Sequence, residues 1–517
     1  MSSIRRIAPT VCLAAILALG SVGLPAAAHG LSLGDRGGTV RPSSYGTSRV
    51  AFEPATGSPE APSAVGVGAA PVASMSFDAI PRIGRNWPAD PTGAVGTDWI
   101  VTAANASYAL YEPGGDAVLG PAPFAPFFSF PQGTRVFSPK VVYDQYKQVF
   151  VMAFLAVNRT LRKSWVLLVS IPNATATDQS TWCGSKIAAD RLAGDGVQWA
   201  DYPGLGYDLK RVVLTANMFN FTGNGGFAYA QILSFRKTDL YDCSRTLVFD
   251  TITGRKTRNP DGTQAFTIQP STSVGTSPTT QYFLSFEARA STVVVWRLGE
   301  AAAGPRLVKV ALPVGRVKAA SSATQGGGDL TNPNTRWDPG DLRFMNAFYD
   351  ADLNRVYAAH TIARDLQPDL STDGYLEAVV QWFEVEPRVR IADSRVTRSG
   401  VIGEPESDAG WPAVATDGEG NLFLAYSRAS AVVGEYLSVW VASIPPGAQT
   451  GRSLLLAPGQ ARMEARPGPE PWGRYKAINR DPKDPARVAI VGEYAKADGS
   501  GPTEDWQQTF ALVSQAA

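Results

Sequence analysis

From about residue 95 to its end the chain repeats short apolar stretches of five to ten residues, each cut off by a polar turn rich in Gly, Pro, Asn or Asp. Val, Ile, Phe, Tyr and Trp dominate the stretches, a composition that fits a pleated, packed surface and predicts β-strands. The stretches come in pairs: 99–104 with 107–111, 148–155 with 164–171, 211–216 with 227–235, 281–286 with 291–298, 355–359 with 376–385, 421–426 with 436–444, and 487–494 with 507–514. A third stretch follows some pairs, as at 247–251 and 306–312. Ahead of each pair stands one motif, two small or apolar residues, a third that is often Thr or Tyr, and an acid. Its last positions are Asp98, Asp144, Asp208, Ser277, Asp350, Asp417 and Asp481, spaced 46 to 73 residues apart, with Ser277 in place of the acid in the fourth copy.

A repeat of this length reads as one small antiparallel sheet, with the motif closing its first strand and the acid accepting hydrogen bonds from backbone amides of the next turn. One such sheet cannot cover both its faces. Packing seven of them radially does so, which predicts an all-β chain folded as a seven-bladed β-propeller. The segment 507–514 ends just before the carboxy terminus, as the third strand of the last blade. The fourth is expected from 73–80, so that an N-terminal strand joining the last blade closes the ring and removes an exposed edge. Two β-sandwiches in tandem are the alternative; one seven-stranded sandwich is too small for 517 residues.

Residues 1–28 depart from this pattern. Arg5 and Arg6 precede an apolar stretch, and Ala26-Ala27-Ala28 supplies small residues for cleavage, so 1–28 reads as a signal peptide for the general secretory route rather than the twin-arginine route. Residues 29–74 are rich in Gly, Pro, Ser and Ala and read as a flexible leader, leaving 75–517 for the propeller. The expected product is secreted and extracellular, with no membrane span after processing. Loss of Cys12 leaves Cys183 and Cys243, an even pair expected to form a disulfide in an oxidising compartment.

Composition narrows the chemistry. Basic and acidic residues, 47 and 46, nearly cancel, and basic residues do not cluster with aromatics, which argues against nucleic acid. With only His29 and His360, a multi-histidine metal site is excluded, and His360 ends an apolar run as a core or rim residue. Gly326-Gly327-Gly328-Asp329 lacks the strand-to-helix setting of a phosphate loop, and 369–373 lacks calcium-loop spacing. No cofactor or metal is expected.

Several segments resemble a family. Asp90-Pro91-Thr92-Gly93-Ala94-Val95-Gly96, Pro139-Lys140-Val141-Val142-Tyr143-Asp144-Gln145, Trp199-Ala200-Asp201-Tyr202-Pro203-Gly204-Leu205-Gly206 and Pro471-Trp472-Gly473-Arg474-Tyr475 are similar to blades of large secreted bacterial β-propeller proteins, mostly uncharacterised and distantly sialidase-like. Arg474 departs from the acid usual in the closing blade, and good copies of the Ser-x-Asp-x-Gly-x-x-Trp boxes of sialidases are missing. The resemblance implies the fold and leaves the activity open.

Candidate chemistry follows from the repeat. Counting back seven residues from the motif ends reaches Asp201, Arg343 and Arg474. Counting back six reaches Ser138, Tyr202, Trp411 and Tyr475. These positions form an aligned ring near one mouth of the channel, where arginine forks suit carboxylates and aromatic faces suit sugars. Asp201, Tyr202, Arg343, Trp411, Arg474 and Tyr475 are therefore the expected ligand-binding residues, unless they serve inter-blade packing with Asp201 paired to an arginine. The expected function is a non-enzymatic binding scaffold for a glycan, a cell-wall component or an extracellular protein. The alternative is a glycoside hydrolase, sialidase-like with Tyr475, Glu493, Asp201, Arg343 and Arg474, or using carboxylates such as Asp341 and Asp408.

Overall fold

The computed structural model describes residues 69–516, apart from 85–86, 192–197, 224, 302–303, 330, 368–375, 465–467, 500 and 504. The expected signal peptide 1–28, and the leader up to residue 68, lie outside the described residues. Within them the protein is all-β and β-propeller-like, with 30 strands and a single α-helical turn, Lys237–Leu240. No described helix is long and apolar enough to cross a membrane.

Strands pair antiparallel with their sequence neighbours in quartets. These span 92–123, 135–188, 198–252, 269–313, 347–402 and 408–457, and a seventh is built from 477–515. The fourth strand of the seventh quartet is Pro71–Pro81, which pairs antiparallel with Trp506–Gln515 and contains the segment 73–80. The expected runs lie in the second and third strands, several of which extend further than their apolar stretches suggested: 149–155 of the run 148–155 lies in Val149–Asn158, and 211–216 in Arg211–Asn220. All ten residues of Val149–Asn158 are buried, because both faces of a middle strand are covered by neighbouring sheets. Outer strands such as Ala117–Pro123 are mostly exposed.

The apolar clusters lie between quartets. One joins Ala94, Val101 and Tyr108 of the first to Val141, Phe150 and Phe154 of the second; another joins Val213 and Ile232 of the third to Phe283 and Trp296 of the fourth. Each sheet thus hides its faces on its neighbours, as a unit too small to bury them alone must.

The first strands carry the polar links. Those of the third, fourth and fifth quartets, Gln198–Tyr207, Gln269–Val274 and Ala347–Asp350, pair in parallel and merge their sheets. Elsewhere side chains stand in for backbone pairing. Asn346 Nδ2 donates to the Val414 carbonyl at 2.9 Å and its Oδ1 accepts from the Val414 amide at 3.0 Å, tying the fifth quartet to the sixth. Arg480 Nε donates to the Thr416 carbonyl at 3.0 Å, and Asn479 exchanges two 3.3 Å bonds with Val95 and Gly93, tying the seventh to the first. The Thr92 hydroxyl accepts from the Val141 amide at 3.2 Å. First strands of successive quartets touch, and Ala477–Arg480 also touches Thr92–Val95.

The motif acids do what the repeat predicts. Asp144, Asp208, Asp350, Asp417 and Asp481 each accept the amide two residues on, at 2.7 to 3.1 Å. Asp98 is bonded instead to Asn173 of the second quartet. Cys183 and Cys243 form the expected disulfide, closing a 60-residue separation and fixing the outer strand of the second quartet to the third. A chain-entropy argument puts its contribution at up to about 4 kcal/mol.

Candidate functional site

Three first strands share one kink. In Ser138-Pro139, Tyr202-Pro203 and Trp411-Pro412 the residue before proline is left-handed, with φ of 52°, 52° and 47°. Each sits at a register shift: Phe137 to Lys140, Asp201 to Gly204, and Gly410 to Ala413. Asp90 (φ 48°) precedes Pro91, and Tyr475 (φ 70°) holds the equivalent place in the seventh quartet. A bulge bends its strand and re-aims the side chain. Left-handed backbone costs a non-glycine residue about 1–3 kcal/mol and collects at functional sites.

The kinks bring all six expected ligand residues together. The Tyr202 and Tyr475 ring centres are 6.3 Å apart. The Arg343 guanidinium carbon lies 4.3 Å from the Tyr202 ring centre and 5.8 Å from that of Trp411; that of Arg474 lies 5.8 Å from Tyr202 and 5.4 Å from Tyr475. Arg474 pairs with Asp90 at 2.9 Å, and Arg343 Nε donates to both Asp341 oxygens at 2.7 and 2.8 Å. Asp201 accepts the Tyr202 amide at 2.8 Å and is influenced by both arginines. Exposure runs from 0% for Asp201 to 7% for Arg343, so this is an interior cluster and not an open mouth. Burial pushes the Asp201 carboxyl up to about 7 against the pull of Arg474, and pushes Glu470 to about 7 as well.

Beside the cluster lies a cavity of about 50 Å³, lined by first strands of six of the seven quartets. That is room for about three or four waters. Of the six expected residues only Tyr475 reaches it; Asp201, Tyr202, Arg343, Trp411 and Arg474 are not in its wall. Among the described residues the charged ones in the wall are Lys140, Lys476 and Arg480, and no carboxylate lines it. Lys140 Nζ lies 4.8 Å from the Tyr475 ring centre, so the cavity and the cluster meet there. Burial brings the Lys140 ammonium down to about 7, with Asp90 opposing. Burial also lowers Lys476 and raises Glu493, whose Oε1 accepts the Gly473 amide and whose Oε2 is buried with no hydrogen-bond partner among the described residues.

Other sequence candidates have structural partners. Asp408 accepts the Ala378 amide at 2.9 Å and the Thr324 amide at 3.3 Å, and Asp341 is committed to Arg343. His360 is fully buried between the Leu342 carbonyl and Gln381 Oε1, at 3.0 and 2.9 Å. Among the described residues no group of three His, Cys, Asp or Glu could hold a metal ion. Lys140, Lys476 and Asp90 were missed. Their signal was a charged residue inside or beside an otherwise apolar inner strand, as in Val136-Phe137-Ser138-Pro139-Lys140-Val141-Val142.

By structure the chain is similar to a protein of unknown function from Dyadobacter fermentans, with 10% identity over 75% of this chain and 100% of that one, at a TM-score of 0.39. It is also similar to Trypanosoma rangeli sialidase, with 7% identity over 85% of this chain and 59% of that one, TM-score 0.39. A third likeness is to the GH93 α-L-arabinofuranosidase of Fusarium graminearum, with 9% identity over 85% and 98%, TM-score 0.36. No family model and no curated protein matches the sequence.

Proposed function

We propose that this chain is an exported seven-bladed β-propeller, closed by Pro71–Pro81 on Trp506–Gln515, that binds a small carboxylate in its central channel without turning it over. The observation that carries the reading is the wall of the cavity: Lys140, Lys476 and Arg480 contribute three basic side chains, Arg480 paired with Asp350 behind the wall, and among the described residues no acid lines the space. A low-dielectric enclosure of one sign attracts an anion more strongly than an open surface does. The size of the cavity limits what enters to a free acid of a few carbons or the carboxylate end of an acidic glycan. The Asp90–Arg474 and Asp341–Arg343 pairs brace the Tyr202–Tyr475 aromatics behind this wall, which makes them positioning residues.

Calorimetry with acetate, glyoxylate and pyruvate tests the reading, beside a glycan array carrying sialyl and uronyl termini. The expectation is saturable binding of carboxylates, no binding of acetamide, and about tenfold weakening in Lys476→Met, as loss of one charged hydrogen-bonding partner implies. Binding by the array alone assigns the ligand to glycans. Absence of carboxylate binding in both arms overturns the proposal. Glycoside hydrolysis is the second reading, favoured by the buried Asp201 carboxyl, raised to about 7, beside Tyr475. Hydrolysis of chromogenic glycosides that is lost in Tyr475→Phe replaces the binding reading with that one.

A further inference from the structure

Two amines reach the channel, and they are held differently. Lys476 Nζ donates to Ser427 Oγ and to the Gly473 carbonyl, both at 3.0 Å, with the charge of Glu493 close by. Lys140 Nζ donates only to the Met345 carbonyl, at 3.2 Å, and has no ion-pair partner among the described residues. An ammonium has three N–H donors, so a buried one with a single bond is poorly satisfied and the neutral amine gains. Lys140 comes straight after the bulge at Ser138-Pro139, and the residue is 7% exposed in the wall of the cavity. Asp90 and Tyr475 lie beside it, and the charged and titratable groups that share its cavity wall are Lys476, Arg480 and Tyr143. A neutral amine facing an enclosed space with cations nearby is the arrangement in which a lysine acts as a nucleophile toward carbonyls.

We propose that Lys140 captures a small α-oxo acid in the channel as a Schiff base, an inference that rests on reading the cavity as a carboxylate site. The nitrogen lone pair attacks the oxo carbon and an N–C bond forms. The carbonyl π pair moves to oxygen, which takes up a proton released by the nitrogen. The carbinolamine then loses its hydroxyl together with the remaining nitrogen-bound proton as water, leaving a C=N bond. Nothing is oxidised or reduced, and the only by-product is one water. Lys476 and Arg480 supply positive charge for the carboxylate, and the Tyr475 ring covers one side of the amine.

The test uses the purified protein with glyoxylate in one arm and acetaldehyde in the other, each followed by borohydride to fix any C=N bond, digestion, and mass spectrometry at every lysine. At pH 7 an exposed lysine is neutral in roughly one molecule in a few thousand. Lys140 is therefore expected to label with glyoxylate at least about tenfold faster than the exposed Lys186 and Lys483. Its rate should rise with pH through about 7, the value for this buried amine. Labelling of Lys140 no faster than of Lys186 and Lys483 overturns the inference, and this is read on the unaltered protein, so folding of a variant does not enter. Carboxylate binding by calorimetry without an adduct overturns the amine chemistry and leaves the binding reading standing. Equal labelling of Lys140 by acetaldehyde and glyoxylate overturns the α-oxo acid class and, with it, the carboxylate reading.

Discussion

The Asp352 carboxylate of the fifth quartet accepts the Thr276 amide of the fourth at 2.7 Å. In five quartets the turn after the first strand is held by its own motif acid, but the fourth has Ser277 in that place, with a φ of 61°. Asp352 holds this turn from outside at a different amide, that of the residue before Ser277, while its own amide is held by Asp350 Oδ1 at 3.1 Å. Asp352→Ala should lower stability by about 1 kcal/mol, the worth of one exposed hydrogen bond. Asp350→Ala should cost about 3 kcal/mol or more, because it strips the buried ion pair with Arg480 as well as the turn bonds. Urea denaturation of the two variants checks this ordering, and equal losses would contradict it.

Asp90 and Arg474 form an ion pair almost wholly removed from water, with side chains 2% and 1% exposed. Breaking such a pair from one side leaves a buried charge alone, at a cost of about 3–5 kcal/mol. Arg474→Met is expected to lose that much, and Asp90→Asn combined with Arg474→Met should recover a large part of it. A double-mutant cycle read by thermal and chemical unfolding decides: if the two losses simply add, the pair is not what stabilises this end of the channel.

The sheet framework was legible because its signal is local. Buried middle strands such as Leu422–Ser430 read as apolar runs, and five of the six motif acids mark their turns in the chain itself. Outer strands were mostly missed. In Arg452–Ala457 or Arg395–Ile402 only the last residue is fully buried, so the apolar pattern that announces a strand is weak. Counting back from the repeat found the cluster because the kinks at Ser138, Tyr202, Trp411 and Tyr475 occupy equivalent positions. Burial of the cluster could not be read in the same way. It depends on Asp90 and Asp341 reaching arginines that the repeat frame does not align with them, and on chain segments such as Trp337–Asp338 and Glu470–Pro471 pairing across a long sequence separation. Lys140 sat in plain view in the second quartet, but its partner is a carbonyl from the approach to the fifth.

Asp201 gives the cluster a signature in pH. Burial raises its carboxyl from the ordinary 3.8 to about 7, so between these values the folded protein holds a proton that the unfolded chain has released. Its contribution is fully favourable below about 4 and is lost as pH rises through about 7. Asp201→Asn removes that dependence, so the variant should gain stability relative to the parent as pH goes from about 4 to about 7, and the difference should level off above. Lys140 has the opposite sense: its folded value of about 7 lies below the ordinary 10.5, so its contribution is present above about 10.5 and lost as pH falls through about 7. Melting temperatures of parent, Asp201→Asn and Lys140→Met across this range test both signs, and parallel curves would rule out the raised carboxyl.

Ser138 isolates the backbone strain of the kinks from the packing of their side chains. Its φ of 52° is the same as that of Tyr202, but its side chain is small, and its buried hydroxyl has no hydrogen-bond partner among the described residues. Glycine adopts this conformation without steric penalty, and the left-handed region costs other residues about 1–2 kcal/mol. Glycine also leaves the unfolded chain more freedom, which takes back part of the gain. Ser138→Gly is nonetheless expected to stabilise the protein by about 1 kcal/mol, because it removes both the strain and an unsatisfied polar group. Tyr202→Gly relieves the same strain but empties a fully packed aromatic site between Arg343 and Tyr475, and should lose about 3 kcal/mol or more. Opposite signs for the two substitutions at equivalent backbone positions would show that the fold tolerates strain in this ring in order to aim side chains inward. A loss in Ser138→Gly would mean that the kink is relaxed where it stands, and that its recurrence in the second, third and sixth quartets reflects strand geometry alone.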